Sequence, residues 1–142
     1  MRQVYPVIFT PLNDQKDTVL IEVPDLEILT EGKDMENAID MARDAISVTL
    51  VSMEENSDDI PRATAIENID ISKGTFVECG KAFISMVDTD TTVYRRKMDT
   101  TPVRRNVSLP TWLNDEVNAA GINVSRVLQD ALMERLNIER RI

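Results

Sequence analysis

The sequence predicts an α+β protein with two domains, and three observations lead to that prediction. Short apolar, β-rich segments and one long helical pattern share residues 1–94. A strand pattern followed by two short helical patterns fills residues 103–137. The charge changes sign between these parts, because residues 1–94 carry 7 Lys/Arg and 19 Asp/Glu, net −12, whereas residues 95–142 carry 9 and 6, net +3. We therefore predict an acidic domain over 1–94, a linker over 95–102 and a basic domain over 103–142.

Apolar, β-rich segments in the N-terminal part predict three short strands, which we expect to form a small antiparallel sheet. Polar residues 13–17 are typical of a hairpin turn between the first two strands. Pro6 falls near the start of the first strand, where proline is tolerated, and Gly32 is expected to form the turn after the third. The three strands span residues 4–12, 18–23 and 26–30.

Residues 34–56 give the clearest helical pattern, because apolar side chains recur at a period of three to four residues. Asp34 is expected to cap the helix, since a side-chain oxygen there accepts a backbone amide of the first turn. One face of the helix should pack on the three strands. The other face, with Asp40, Asp44 and Glu54, should stay in water.

The stretch after the long helix predicts a loop and one more strand. Residues 57–64 are expected to form the loop, and residues 74–90 the strand, with Gly80 at a bulge or bend. Residues 91–102 should begin with a helical turn and then link the domains. Cys79 is expected to be a buried small side chain rather than a nucleophile, because no base lies beside it in the sequence. Its role is not indicated.

Composition excludes several classes of site. A single cysteine cannot form an internal disulfide or a thiolate zinc site. The absence of histidine excludes histidine-based triads, histidine general bases and the usual histidine metal sites. No apolar run approaches the roughly 20 residues that span a bilayer, and the N-terminus lacks the pattern of a signal peptide. We expect a cytoplasmic protein with no cofactor, no metal and no membrane contact.

The segment "VRRNVSLP", residues 103–110, alternates apolar and polar side chains. Successive side chains of an extended chain leave opposite faces of the strand. Val103, Val107 and Leu109 share the inward parity. Arg104, Asn106 and Ser108 share the outward parity. Arg105 departs from the pattern, and its long stem can reach solvent.

Two short helices are expected after this strand. Pro110 stops the strand and can open the first helix, since proline has no amide to lose there. Gly121 suits the end of that helix, residues 111–120, because a left-handed residue is favoured at this position. Asn123 is a strong cap for the second helix, which residues 123–137 predict.

A strand and two helices in about forty residues cannot form an adequate core alone. The economical solution is a two-fold dimer, in which two copies of residues 103–109 pair antiparallel and four helices cover their apolar side. The opposite side then presents Arg104, Asn106 and Ser108 twice. A two-stranded ribbon fits the DNA major groove, where arginine bonds guanine and asparagine bonds adenine. We predict that these three residues contact bases.

The start of the second helix is a candidate contact for the DNA backbone. Asn123, Ser125 and Arg126 lie there, where free amides and the positive end of the helix dipole favour a phosphate. A plain helix cap explains Asn123 and Ser125 equally well, so both interpretations stay open.

Residues 103–136 resemble a ribbon-helix-helix DNA-binding module. The segments "YPVIFTPL", "VLIEVPDL" and "TEGKDMENAIDMARDAI" resemble the partial RNase H-like domain of the HicB antitoxins. The two resemblances cover nearly the whole chain in the order that this family uses. Some relatives carry a helix-turn-helix C-terminus, but the strand parity before Pro110 favours the ribbon. The base-reading positions of ribbon modules map to Arg104 and Asn106, and more weakly to Ser108.

The resemblance implies an antitoxin rather than an enzyme. Its acidic domain would bind and neutralise a basic, RNA-cleaving toxin of the HicA type, and its C-terminal module would repress the shared operon by binding operator DNA. It implies a homodimer through the C-terminal module and a higher assembly with the toxin. The sequence assigns no residue to the toxin contact.

Two other functions are compatible with the sequence. One is a stand-alone ribbon-helix-helix repressor whose N-terminal domain senses a small ligand, although no glycine-rich phosphate loop supports it. The other is a nuclease that uses carboxylates and Mg²⁺. Its candidate ligands would be Glu22, Asp25, Glu27, Asp40 and Asp44.

Overall fold

The computed structural model describes residues 1–14 and 16–138 of the 142-residue chain. Residue 15 of the predicted turn and residues 139–142 of the predicted C-terminal domain lie outside the described residues. The chain divides into two compact units, which we call the first unit, Met1–Thr100, and the second unit, Thr101–Ile142. The fold is α+β with a small antiparallel sheet, as the sequence predicts.

The first unit contains a four-stranded sheet in which each strand runs antiparallel to its neighbours. Its strands are β1 (Arg2–Pro11), β2 (Val19–Val23), β3 (Ile28–Gly32) and β4 (Phe83–Asp90). Their order across the sheet is β3-β2-β1-β4, so β1 and β2 are the inner strands. The register pairs Ile8 with Glu22 on one side of β1 and Tyr5 with Val87 on the other.

The helix α1, Met35–Glu55, packs across one face of this sheet. The Asp34 side chain accepts the Asn37 amide at 2.7 Å, so the predicted N-cap is confirmed. Every fourth residue of α1 is fully buried: Ala38, Ala42, Ile46 and Leu50. The strands contribute Tyr5, Val7, Phe9, Ile21 and Val23 to the same core.

The inner strand β1 is buried on both faces, since Pro6, Ile8 and Thr10 are covered on the side away from α1. Just beyond the end of β1, Gly80 forms an isolated bridge with Leu12 that continues the β1–β4 register. A Cβ atom at Gly80 would lie 2.1 Å from the Pro11 carbonyl oxygen, so only glycine permits this approach.

We expected Pro6 near the start of the first strand, but it lies in the middle of β1. The proline is tolerated because the β1–β2 pairing extends only from Ile8 to Pro11. No β2 carbonyl therefore lies opposite the missing amide.

The predicted strand over residues 74–90 is wrong in its first half, because β4 begins only at Phe83. A 3-10 turn at Ile71–Lys73 and further turns precede it. The Glu22 carboxylate accepts the Thr75 amide at 2.8 Å and holds this segment on the sheet. Cys79 lies in these turns and is exposed, so the expectation of a buried side chain is also wrong.

The third strand is shifted by two residues from its predicted position. Pro24–Leu26 forms a 3-10 turn, and Glu27 adopts a left-handed conformation with φ of 54°. The extended conformation can therefore start only at the next residue, where β3 begins. Gly32 is the buried last residue of β3 rather than part of a turn.

The single helical turn predicted after residue 90 is a complete helix, α2, Thr91–Met98. The Asp90 side chain accepts the Thr92 amide at 2.9 Å and caps it. Arg95 of α2 donates to Glu54 at 3.0 Å, so Glu54 is not simply in water. The first half of the segment that we expected to be a linker is therefore helical.

The second unit contains two helices, α3 (Thr111–Ala120) and α4 (Val124–Arg135). Both helices occur where the sequence predicts them, although α4 ends two residues early. Within the described part of the chain, no helix is both long enough and apolar enough to cross a membrane.

The α1 core contact predicts a large effect of Ile46→Ala. Ile46 is fully buried against the sheet, so the variant loses apolar contacts and leaves a cavity. We expect the free energy of unfolding, measured with urea, to fall by about 2–5 kcal/mol. The control Val48→Ala lies on the same helix and is 47% exposed, so it should change stability by less than about 0.5 kcal/mol. Equal losses in the two variants would contradict this assignment of the core.

Candidate functional site

The extended segment before α3 carries the side chains that the sequence predicts to contact DNA bases. Residues 101–110 form no strand with any other described segment of the same chain. Arg104, Asn106 and Ser108 are all exposed. A strand requires a partner, and the sequence-based prediction places that partner on a second copy, so the pairing stays a prediction.

The apolar side chains of this segment are also uncovered. Val103 is 89% exposed, Val107 50% and Leu109 36%. Leaving three such side chains in water forgoes about 1.5–3 kcal/mol for each one that could be fully buried. The segment therefore presents both an apolar and a polar surface to whatever pairs with it.

The corner between α3 and α4 is built from local signals. Gly121 adopts the left-handed conformation, with φ of 67°, that ends α3. The Ile122 amide then donates to the Val117 carbonyl at 3.2 Å. The Asn123 side chain accepts the Arg126 amide at 3.1 Å and caps α4, as predicted.

Within residues 101–138, no side chain of the second unit is buried. Its exposed apolar side chains include Trp112, Val124, Val127, Leu132 and Leu136. A module of this size with so much uncovered apolar surface has no core of its own. Trp112, which is 68% exposed, was not singled out in the sequence because it lies off the main apolar stripe of α3.

The three candidate phosphate contacts lie together at the start of α4. Ser125 and Arg126 are exposed. The Asn123 carboxamide oxygen is already used by the helix cap, which leaves its amide group for another partner. The cap is confirmed, and the phosphate contact stays a prediction.

Three of the basic residues that the sequence places after residue 94 belong to the first unit. Arg95, Arg96 and Lys97 belong to α2 in the first unit. The second unit then contains 6 Lys/Arg and 5 Asp/Glu, net +1. Its excess charge is small, so Arg104 and Arg105 stand out as adjacent cations on the extended segment.

Two of the carboxylates considered as metal ligands, Asp25 and Asp40, form contacts within the first unit. Asp25 accepts the Thr64 amide at 3.0 Å and its hydroxyl at 2.5 Å, which fixes the loop after α1. Asp40 forms an ion pair with Arg43 at 3.7 Å. Among the described residues, no three carboxylate or thiolate side chains come together as metal ligands would.

The buried Tyr5 belongs to the same scaffold. Its hydroxyl donates to the Pro61 carbonyl at 2.6 Å, which pins the loop to β1. Burial raises the pKa of Tyr5, and the negative charge of Asp25 raises it further. The phenol therefore remains a neutral donor at physiological pH.

A salt-bridge cluster joins the end of α1 to α2, and sequence analysis missed it. Arg95 contacts Glu54 at 3.0 Å and Glu55 at 3.3 Å, and the Thr91 hydroxyl donates to Glu54 at 3.0 Å. The hydrogen bond from Arg95 lowers the pKa of Glu54, and the bond from Thr91 lowers it further. The sequence predicts a helical turn after Asp90, but no local pattern indicates that Arg95 lies beside Glu54.

Comparisons with known proteins place these features in context. The model of a family described as "HicB_like antitoxin of bacterial toxin-antitoxin system" matches residues 5–133. A structure described as "Toxin-Antitoxin complex from Streptococcus pneumoniae" is similar at a TM-score of 0.56 and 23% identity, over 95% of this chain and 99% of that one. That likeness concerns the fold. The antitoxin HicB of Burkholderia pseudomallei is also similar, at a TM-score of 0.48 and 23% identity, over 95% and 97% of the chains. No curated protein sequence matches the chain.

The lowered pKa of Glu54 predicts a pH-dependent effect of Glu54→Gln. Because the folded-state pKa lies below the ordinary value of 4.5, the ionised carboxylate stabilises the fold above that pH. This stabilisation is lost as the pH falls below 4.5 and through the folded-state pKa. We expect the free energy of unfolding in urea at pH 6 to be about 0.2–1 kcal/mol higher for wild type than for Glu54→Gln. This difference should shrink towards pH 3.

Asp44→Asn, on the exposed face of the same helix, is the control and should not reproduce this pH dependence. A difference between wild type and Glu54→Gln that stays constant from pH 6 to pH 3 would contradict the role of the ionised pair.

Proposed function

Because this chain belongs to the family of HicB-like antitoxins of bacterial toxin–antitoxin systems, we propose that it neutralises a cognate HicA-type RNA-cleaving toxin and represses its own operon. The observation that carries the proposal is the extent of the family match. Residues 5–133 run from β1 into α4, so the match includes both units. The proposed role is binding, not catalysis, and the proposed location is the cytoplasm.

The first unit is the proposed toxin-binding domain, with a partial RNase H-like fold. It contains 10 Lys/Arg and 20 Asp/Glu, net −10. This charge favours encounter with a basic ribonuclease, while apolar and hydrogen-bonded contacts would set the affinity. The similar fold from S. pneumoniae was described in a toxin–antitoxin complex, which supports a toxin as the partner.

The second unit is the proposed ribbon-helix-helix module, and its uncovered apolar surface supports a dimer. Residues 103–109 of two copies would pair antiparallel and bury Val103, Val107 and Leu109 beneath the four helices. This arrangement supplies both the strand partner and the core that one copy lacks. Residues 99–102 would link this module to α2.

The polar side of the proposed ribbon would read operator DNA in the major groove. Arg104 can bond guanine in bidentate fashion and Asn106 can bond adenine, with Ser108 as a weaker contact. Ser125 and Arg126 at the start of α4, with the Asn123 amide, would contact phosphates on either side. Base contacts would give sequence preference, and phosphate contacts would give affinity that depends on salt.

Substituting the proposed base contacts should separate the two functions. We expect Arg104→Ala and Asn106→Ala each to lose about 1–3 kcal/mol of discrimination between operator and random DNA, measured by fluorescence anisotropy. Toxin neutralisation in a growth assay should be unchanged, because these residues lie outside the first unit.

Arg62→Ala, which removes an exposed cation from the first unit, is the matched control and should leave the discrimination intact. Loss of toxin neutralisation together with DNA discrimination would count against the proposed division of labour. Operator affinity that does not fall with added salt would count against phosphate contacts.

The toxin partner can be tested by co-expression with the product of the adjacent reading frame. We expect a small basic protein to co-purify with the tagged chain and to cleave RNA only after it is separated from it. A ligand-sensing repressor would instead purify alone and would release DNA on binding a small molecule. The antitoxin proposal would be contradicted if the product of the adjacent reading frame neither bound the chain nor degraded RNA.

A further inference from the structure

The two outer strands of the sheet, β3 and β4, have unpaired backbone edges. On β4 the direction of these groups follows from the ladder with β1. The Thr91 amide donates to the Met1 carbonyl at 3.0 Å, directly after the end of β4. The odd residues of β4 therefore direct their backbone groups towards β1. The even residues of β4 therefore point their N–H and C=O groups outwards. Arg43 Nε, which donates to the outward Asp88 carbonyl at 3.1 Å, agrees with this assignment.

The outer edge of β4 has a protected half and an open half. At the protected end, Asp88 contacts Arg43 at 3.2 Å and Arg2 at 3.6 Å, and charged groups of this kind discourage strand pairing. Residues 83–87 carry no charge. Within this open half, no described residue bonds the outward backbone groups of Ile84 and Met86.

The side chains of the open half are also uncovered. Phe83 is 41% exposed, although its ring stacks on Phe9 at a centroid distance of 5.7 Å. Met86 is 44% exposed on the other face of the strand. An exposed apolar strand with free backbone groups is a template for another strand.

The other edge, β3, differs in both length and charge. It has only five residues. Exposed side chains alternate along it and the residue before it, at Glu27, Leu29 and Glu31. Pairing two copies of this strand about an axis at Leu29 would set Glu27 against Glu31 and bring like charges together. β4 is therefore the edge that lacks protection.

We propose that residues 83–87 pair antiparallel with the same residues of a second copy, about a two-fold axis at Ser85. In this register Ile84 faces Met86 of the other copy, and the two residues exchange both outward backbone bonds. Phe83 faces Val87 of the other copy as a non-hydrogen-bonded pair, since the backbone groups of odd residues point towards β1. The two four-stranded sheets become one continuous sheet, through an interface separate from the second unit and independent of the proposed function.

The charge pattern favours a second copy over a different protein at this edge. The register opposes apolar side chains on both faces and sets Asp88 against Ala82, so no like charges meet. Shifting the axis to Met86 would set Ile84 against Asp88 and lose that match. A basic partner would be recognised by carboxylates, and residues 83–87 offer none.

Disulfide cross-linking of the full chain tests the proposal. Cys79→Ser removes the single cysteine, and Ser85→Cys places a new one at the proposed axis. Facing residues of a non-hydrogen-bonded antiparallel pair have Cα atoms about 4.5 Å apart, and disulfides span about 4.4–6.8 Å. We expect a covalent dimer under mild oxidation, formed at least about tenfold faster than with Leu29→Cys in the same background.

Leu29 is the matched control because it is exposed, at 55%, on the other outer strand. Adding Met86→Lys to the Ser85→Cys chain should slow cross-linking about tenfold, since a charge would then face Ile84. Leu29→Lys should leave the rate unchanged. The proposal is overturned if Ser85→Cys links no faster than Leu29→Cys, or if Met86→Lys has no effect. A strand from another protein at this edge would give the first of these results, because it keeps the two Ser85 positions apart.

Discussion

The packing of α1 against the sheet is the contact on which the first unit depends. Ala38 and Ala42 are small enough for the helix to approach the sheet closely, and Ile46 and Leu50 fill the space further along. Because β1 contributes Tyr5, Val7 and Phe9 to the same core, the helix and the strand fix each other's position. The turns over residues 71–80 then cover the opposite face of β1, which makes it the most buried strand.

The two units solve the problem of apolar burial differently. The first unit encloses a core within one chain, to which β1, β2, β4 and α1 all contribute buried apolar side chains. The described residues of the second unit bury none, although the helices are well capped at Gly121 and Asn123. Capping stabilises individual helices but does not supply a core. The proposed dimer would supply this core to the second unit, whereas the proposed pairing of the first unit involves only one strand edge.

Some of the carboxylates that make the first unit acidic are already bonded within it and are not free to bind a partner. Several of its carboxylates hold the fold together: Asp25 binds the loop at Thr64, Glu22 binds the turns at Thr75, and Glu54 binds Arg95 of α2. A partner attracted by the overall charge would meet only the carboxylates that these contacts leave exposed. Overall charge therefore controls the rate of encounter more than the position of binding.

Local signals were sufficient to predict a large part of the fold. The period of α1, its cap at Asp34, the end of α3 at Gly121 and the cap at Asn123 each depend on neighbouring residues, so the sequence by itself determined them. The family was also identified from the order of such segments, and the family match confirmed it.

The tertiary structure decided the features that depend on residues far apart in the chain. β4 begins at Phe83 because it pairs with β1, about eighty residues earlier, and not because of any signal near residue 74. Glu54 is bonded because α2 brings Arg95 beside it, and Gly80 is required because Pro11 lies against it. Hydrophobic period and capping act within a few residues, whereas strand pairing and ion pairs join distant ones, so no local pattern in the sequence could reveal these contacts.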